Sequence, residues 1–231
     1  MSMSEHDPLK LLGRVGAVMT DGHFVYASGK HGSVYVNKDA VYPHTELTSD
    51  LCYAIAGQFL NDDVDVVVAP EVAGVILSQW VAHHLTAMGA HEVLSTYAER
   101  DERYVMETCL AIPPGANVFV RIPGFVIKRG YDKLVAGENV LVVEDVLTTG
   151  GSVKGVVEAI RRLGGNIVGL GALCNRGGIT SRDVVVPRLF ALVNANLDAW
   201  PEANCPLCEE GVPINTDVGK GREFLARKGL R

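Results

Sequence analysis

The chain has 231 residues, 48% of them hydrophobic and 21% charged, the composition of one ordinary folded domain with a small appendage. Lys and Arg number 21 against 27 Asp and Glu, and this net charge of -6, with no basic block, excludes electrostatic binding of nucleic acid or of an anionic membrane. No apolar run is long enough to span a bilayer, and the opening MSMSEHDPLK lacks the basic and apolar regions of a signal peptide. With five cysteines, odd in number and mostly scattered, a reducing, cytoplasmic location is expected.

In chain order, residues 8–19 and 45–60 carry helical apolar spacing, and the polar stretch 28–38 between them reads as a loop or hairpin carrying functional groups. Residues 64–69 are short, apolar and β-branched, which predicts a buried parallel strand; Val72, Ile76, Trp80, Val81 and Leu85 then repeat at helical spacing. From 93 to 128 the pattern turns alternating or irregular, with a charged cluster at 99–103 and a turn at Pro113-Pro114-Gly115, so a hairpin or lid is expected. Residues 140–143 form a second buried strand, followed by the helical set Val153, Val156, Val157, Ile160 and Leu163 and a left-handed cap at Gly164-Gly165. Strands are also expected at 167–173 and 188–193, and a short basic helix near 222–227. Strand followed by helix, repeated, specifies an α/β fold: a mostly parallel central sheet flanked by helices. Residues 1–199 are read as one domain including the lid, and 200–231 as a C-terminal extension.

The segment VLVVEDVLTTGGSV, 140–153, carries the chemistry. A buried strand delivers Glu144 and Asp145 to its carboxyl end, where open α/β sheets bind ligands. Thr148, Thr149, Gly150, Gly151 and Ser152 then form a turn whose backbone N–H groups, hydroxyls and following helix N-terminus suit a phosphate. No Walker lysine is present, so a nucleoside triphosphate is not the expected ligand. A phosphate monoester on a sugar fits both halves, with the carboxylates accepting from vicinal hydroxyls. A dinucleotide loop is excluded, because Gly169-Leu170-Gly171 is followed by Cys174 where a third glycine is required.

This order of strand, acid pair, hydroxyl and glycine turn, and amphipathic helix resembles the signature of type I phosphoribosyltransferases, which bind 5-phosphoribosyl 1-pyrophosphate (PRPP). The resemblance implies that family's α/β fold with a hood, Mg2+ as cofactor, PRPP and a nucleobase as ligands, and a homodimer. Further segments are similar to the orotate branch. HFVYASGKHGSVYVNK, 23–38, resembles its base-binding loop, so Tyr35 would stack on the base while Ser28 and Asn37 shape the pocket. VVVAPEVAG, 66–74, resembles the pyrophosphate turn, with Glu71 and Gly74 matching. LCNRGG, 173–178, places Arg176 where that branch has an arginine facing the orotate carboxylate, for which a guanidinium is the natural bidentate partner. GFVIKRGYDKLVAGENVLVVED, 124–145, resembles the branch in which an Arg-Gly-aromatic segment precedes the signature.

Two features depart from that pattern. Ala27 stands where many orotate enzymes have lysine, and the lysine-rich mobile loop ending in His-Gly is absent. Cationic partners for the leaving pyrophosphate are then expected from Arg100 and Arg103 or from Lys128 and Arg129, beside Glu144 and Asp145. These departures leave open a purine or other-base salvage enzyme, and a non-catalytic PRPP-binding regulator. Cys205 and Cys208 are half of a zinc pattern whose other ligands would be Cys174, Cys109, a histidine brought near by the fold, or another subunit; a small buried apolar pair or a redox dithiol are the alternatives. His31 reads as an exposed loop histidine.

Overall fold

The structure, a computed structural model, describes residues 12–13, 15–26, 28–89, 91–107, 118–194 and 199–229, with the backbone alone at 102–107 and 118–123. Ala27, Cys109, the Pro113-Pro114-Gly115 turn, the Arg103 side chain and the start of the first expected helix lie outside what is described.

Six strands make the central sheet: β5 (Val66–Pro70), β6 (Leu94–Glu107), β7 (Val118–Val126), β8 (Asn139–Leu147), β9 (Asn166–Asn175) and β10 (Leu189–Asn194), in the order β10-β9-β8-β5-β6-β7. All neighbours run parallel except β6 and β7, which pair antiparallel as a long hairpin in the region expected to form a lid. The uninterrupted apolar runs arise because the central strands are covered on both faces. Val67, Ala69, Leu141 and Val143 join one core with Leu51 and Ile55 of α1 (Thr45–Gln58) and Leu77 and Val81 of α2 (Gly74–Met88). Val66, Val68, Val140 and Val142 join a second core with Val153, Val156 and Ile160 of α4 (Gly151–Arg162). Each valine, leucine or isoleucine among them contributes on the order of 1.5–3 kcal/mol relative to exposure. A single turn of helix, α3 (Asp132–Val135), leads into β8.

From β5 the chain crosses over to β6 on one side, while β8 lies on the other, and α2 and α4 cover opposite faces. The crevice at the carboxyl ends of β5 and β8 is therefore a topological switch point, where such sheets leave room for a ligand.

A small subdomain stands over this crevice. β1 (Val18–Met19) pairs with β4 (Tyr35–Val36), and β2 (Phe24–Val25) pairs with β3 (His31–Gly32). The helix expected over 8–19 is corrected at its end: Gly16 takes φ +68, and Val18–Met19 is strand. Apolar spacing over so few residues serves either period, and the left-handed glycine decides against helix. His31 is also corrected. It is fully buried, bridged to Trp200 by reciprocal backbone hydrogen bonds of 2.8 and 2.9 Å. The C-terminal segment lies along β2, with Asn215 N–H donating to His23 O and Lys220 N–H to Val25 O, both at 2.8 Å. It adds two short helices, α5 (Pro206–Glu209) and α6 (Gly221–Arg227), the second where the basic helix was expected. Among the described residues, no helix is long and apolar enough to cross a membrane.

Candidate active site

β8 is buried along nearly its whole length and carries Glu144 and Asp145, both almost inaccessible, to the floor of the crevice. Two adjacent buried carboxylates repel, and the structure answers in two ways. Lys38 Nζ donates to Asp145 Oδ2 at 2.5 Å, while the Val146 N–H donates to Asp145 Oδ1 at 2.5 Å and the Asp145 N–H to Glu144 Oε1 at 3.0 Å. Burial works against the Lys38 charge, yet the hydrogen bond and charge of Asp145 outweigh it and hold the ammonium above the ordinary lysine value. Glu144 goes the other way. Burial first, and then the charge of Asp145, push its carboxyl up to about 8.

This has a consequence for stability. The raised pKa means that the folded chain holds more protons than the unfolded chain between the ordinary glutamate value and about 8, so the contribution is present at low pH and lost as pH rises through that window. The unliganded protein is expected to lose on the order of a few kcal/mol between pH 5 and 8, and Glu144→Gln to abolish most of that slope. Denaturant unfolding at a series of pH values checks it; parallel profiles for the two proteins would disprove the assignment.

The turn after β8 forms a hollow of about 130 Å3 lined by Glu144 and by Thr148, Thr149, Gly150, Gly151 and Ser152. Gly150 caps α4 with φ +73, and the first turn of that helix holds no acidic residue to compete for its free N–H groups. Arg176, just past β9, folds back over this turn. Its Nη2 donates to Thr148 Oγ1 at 3.1 Å and its guanidinium stands 4.9 Å from the centre of the Tyr26 ring. The next residue must be glycine, because a Cβ at Gly177 would meet the Thr148 carbonyl oxygen at 1.7 Å.

A larger cleft of about 290 Å3 adjoins the hollow, bounded by Tyr35, Asn37 and Lys38 from above, Glu71 and Gly74 after β5, Arg100 on β6, and Glu144, Asp145, Thr148, Ser152 and Arg176 below. Glu71 Oε1 accepts the Arg100 N–H at 2.8 Å, tying the turn after β5 to the lid hairpin.

Three of the expected residues are not brought here. Ser28 is exposed at the hairpin tip, where its Oγ accepts from the Lys30 N–H at 3.4 Å. Lys128 and Arg129 both engage Glu99, at 3.8 and 2.6 Å, and neither lines the cleft, which corrects their expected role as cations there. Among the described residues, the cations at the cleft are Lys38, Arg100 and Arg176. Lys38 escaped sequence reasoning. Its one signal is a basic residue directly after Asn37 in the base-loop pattern.

A sequence model for the phosphoribosyl transferase domain matches residues 44–188. A protein of Desulforamulus reducens named orotate phosphoribosyltransferase is 33% identical over 91% of this chain and 95% of its own length. One of the same name from Thermotoga maritima is 34% identical over 92% of this chain and 97% of its own. The crystal structure of orotate phosphoribosyltransferase from Aeropyrum pernix shares the fold with TM-score 0.55 and 22% identity over 80% of this chain and 92% of that one. That of adenine phosphoribosyltransferase from Thermoanaerobacter pseudethanolicus does so with TM-score 0.54 and 17% identity over 79% and 99%.

Proposed function

The chain belongs to the phosphoribosyltransferase family, and from that premise we propose that it transfers the 5-phosphoribosyl group from PRPP to orotate, giving a nucleoside monophosphate and pyrophosphate. The observation that carries this reading is the placement of the buried Glu144 and Asp145 pair and the 148–152 hollow on one floor, with Arg176 facing the same cleft. The hollow takes the 5'-phosphate on backbone donors and hydroxyls, and the carboxylates take the two ribose hydroxyls. Tyr35 offers a ring face to the base, Asn37 a polar edge, and Arg176 a fork for the orotate carboxylate. In this reading residues 1–199 are the domain that supplies the machinery and 200–231 the C-terminal extension, of which residues 200, 215 and 220 pair with the base-loop hairpin or its flanks.

The bond from the anomeric carbon to the pyrophosphate oxygen breaks as the bond to the base nitrogen forms, through an oxocarbenium-like state. The protein's task is to align the reactants, keep water out, and offset charge where it grows. Arg100, whose backbone N–H donates to Glu71, and Lys38, paired with Asp145, line the same cleft and are the cations that would offset the leaving group's charge as it develops. Lys38 also fixes the Asp145 carboxylate in place through its 2.5 Å contact with Oδ2. The acidic lining of the cleft is all oxygen, from Asp39, Glu71, Glu144 and Asp145, which fits a hard divalent cation. Glu144 and Asp145 would help hold a bound Mg2+, which would supply charge neutralisation for the pyrophosphate. A cytoplasmic homodimer completes the proposal, and the net charge of -6 supports its using neither nucleic acid nor an anionic membrane.

Pyrophosphate release from PRPP and Mg2+ is to be followed with orotate, uracil, adenine, guanine, hypoxanthine and xanthine in separate reactions. Release with orotate alone is expected. Release with a purine alone would make the protein a salvage enzyme, and PRPP binding without release for any base would make it a regulator.

A further inference from the structure

We infer that His23, His31, Cys205 and Cys208 form a structural zinc site that fastens the C-terminal segment to the base-loop hairpin. The four side chains come from two regions far apart in sequence, yet their ligand atoms all lie within 4.8 Å of one another, and three of the four residues are buried. His23 Nε2 is 2.8 Å from His31 Nδ1 and 3.6 and 3.7 Å from the sulfurs of Cys205 and Cys208. The Cys208 sulfur is 3.3 Å from His31 Nδ1. A tetrahedron with ordinary Zn–N and Zn–S bonds has edges of about 3.4 Å between nitrogens and about 3.6 Å between nitrogen and sulfur. The nitrogen–sulfur distances of 3.3 to 3.7 Å already match, while the two imidazole nitrogens must part by about 0.6 Å and pairs near the 4.8 Å limit draw in by about 1 Å to close on the ion.

The surroundings support the assignment. The His23 Nδ1–H donates to the Val212 carbonyl at 2.8 Å, which leaves the Nε2 lone pair facing the centre of the cluster, the outer contact that orients a metal-bound imidazole. Cys205 caps α5, and its carbonyl accepts the N–H groups of Cys208 at 3.1 Å and Glu209 at 3.2 Å, a tight turn that presents both sulfurs on one side. On the facing hairpin, His31 lies opposite Val25 in the β2–β3 pairing while His23 stands immediately before β2, which puts both rings on the same small ribbon. Two thiolates and two neutral imidazoles around Zn2+ sum to zero charge, so the group tolerates burial, and two nitrogens with two sulfurs in tetrahedral array select zinc over harder cations. All four positions come from the protein, which makes the ion structural rather than catalytic.

What the ion would hold is the hood over the base. The hairpin that carries His23 and His31 continues into β4 with Tyr35, and the C-terminal segment closes on the same ring: a Cβ at Gly219 would lie 3.3 Å from Tyr35 Cε2 and 2.6 Å from Val25 O. The phosphate hollow takes no residue from either ligand pair. Loss of the metal is therefore expected to raise KM for the base while leaving PRPP affinity nearly unchanged.

The test is elemental analysis of full-length protein purified without chelator and of the same protein reconstituted with zinc under reductant. Close to one zinc per chain is expected, falling to background in Cys208→Ser and in His31→Ala, with a lowered melting temperature. Cobalt substituted into the unmutated protein reads the ligand set directly, whether or not the variants fold: the strong visible bands of a tetrahedral ion and a thiolate-to-cobalt band in the near ultraviolet are expected. An unmutated protein that holds no zinc after reconstitution, weak octahedral cobalt bands, zinc unaffected by the substitutions, or a reversible Cys205–Cys208 disulfide in place of metal would each overturn the inference. Metal content is read without turnover, so its failure is separate from that of the transferase reading.

Discussion

Asp145→Asn is expected to weaken PRPP binding by about 10²- to 10³-fold in a protein that still folds. The carboxylate lies at the end of a buried strand and is held by Lys38 Nζ and the Val146 N–H. In that setting its remaining lone pairs accept from sugar hydroxyls as charge-assisted bonds, each on the order of 1.5–3 kcal/mol. Losing the charge behind two of them removes about 3–4 kcal/mol, and each 1.4 kcal/mol is tenfold in affinity. The amide keeps the size of the side chain, and Lys38, 38% exposed, turns to water when its partner is neutralised, so the effect on stability is small. Calorimetric titration with PRPP and Mg2+, beside a thermal melt, separates the two quantities. Unchanged PRPP affinity would remove Asp145 from the sugar site.

The second large effect is expected at Arg176. Truncation to alanine should lower kcat/KM for orotate by about 10²- to 10³-fold, because removing one partner of a desolvated, bidentate carboxylate pair costs about 2–5 kcal/mol. Lysine at the same position restores only part of this, since an ammonium is a point donor without the planar fork. The Arg176 guanidinium also donates to Thr148 Oγ1, so PRPP affinity must be measured alongside. A loss carried mainly in KM for orotate supports contact with the base; a loss confined to PRPP would move Arg176 to the phosphate turn.

The parts of this molecule that were legible in the sequence are those where neighbours in the chain are neighbours in space. The strands around Val66 and Val140 announce themselves because both faces are covered, and the 144–152 segment does so because strand, carboxylates, turn and helix follow one another without interruption. Lys38 was not legible because its meaning lies in Asp145, 107 residues away. His31 looked like an exposed loop residue because the segments that bury it, around Trp200 and Phe224, come from the far end of the sequence. Cys205 and Cys208 were visible as half a metal motif, and only the fold supplied His23 and His31 as the other half. Lys128 and Arg129 were misplaced for a related reason: composition shows two cations near the signature, and it does not show that Glu99 engages both.

The backbone pairing of the base-loop hairpin with residues 200, 215 and 220 separates the two halves of the substrate cleft in time as well as in space. The proposed cradle for the sugar phosphate is drawn from the contiguous 144–152 segment, with Arg176 close behind; the Arg176–Thr148 contact spans 28 residues and the Asp145–Lys38 contact 107. Cys205 and His23 meet across 182 residues, and the loop-closure entropy of such a contact is met before any packing rewards it. On the ribosome, the hairpin bearing Tyr35 is made early and waits without its partners until residue 220 has been synthesised. The segment proposed to hold the sugar phosphate is thus complete in the nascent chain before the residues that pair with the base-loop hairpin have been made.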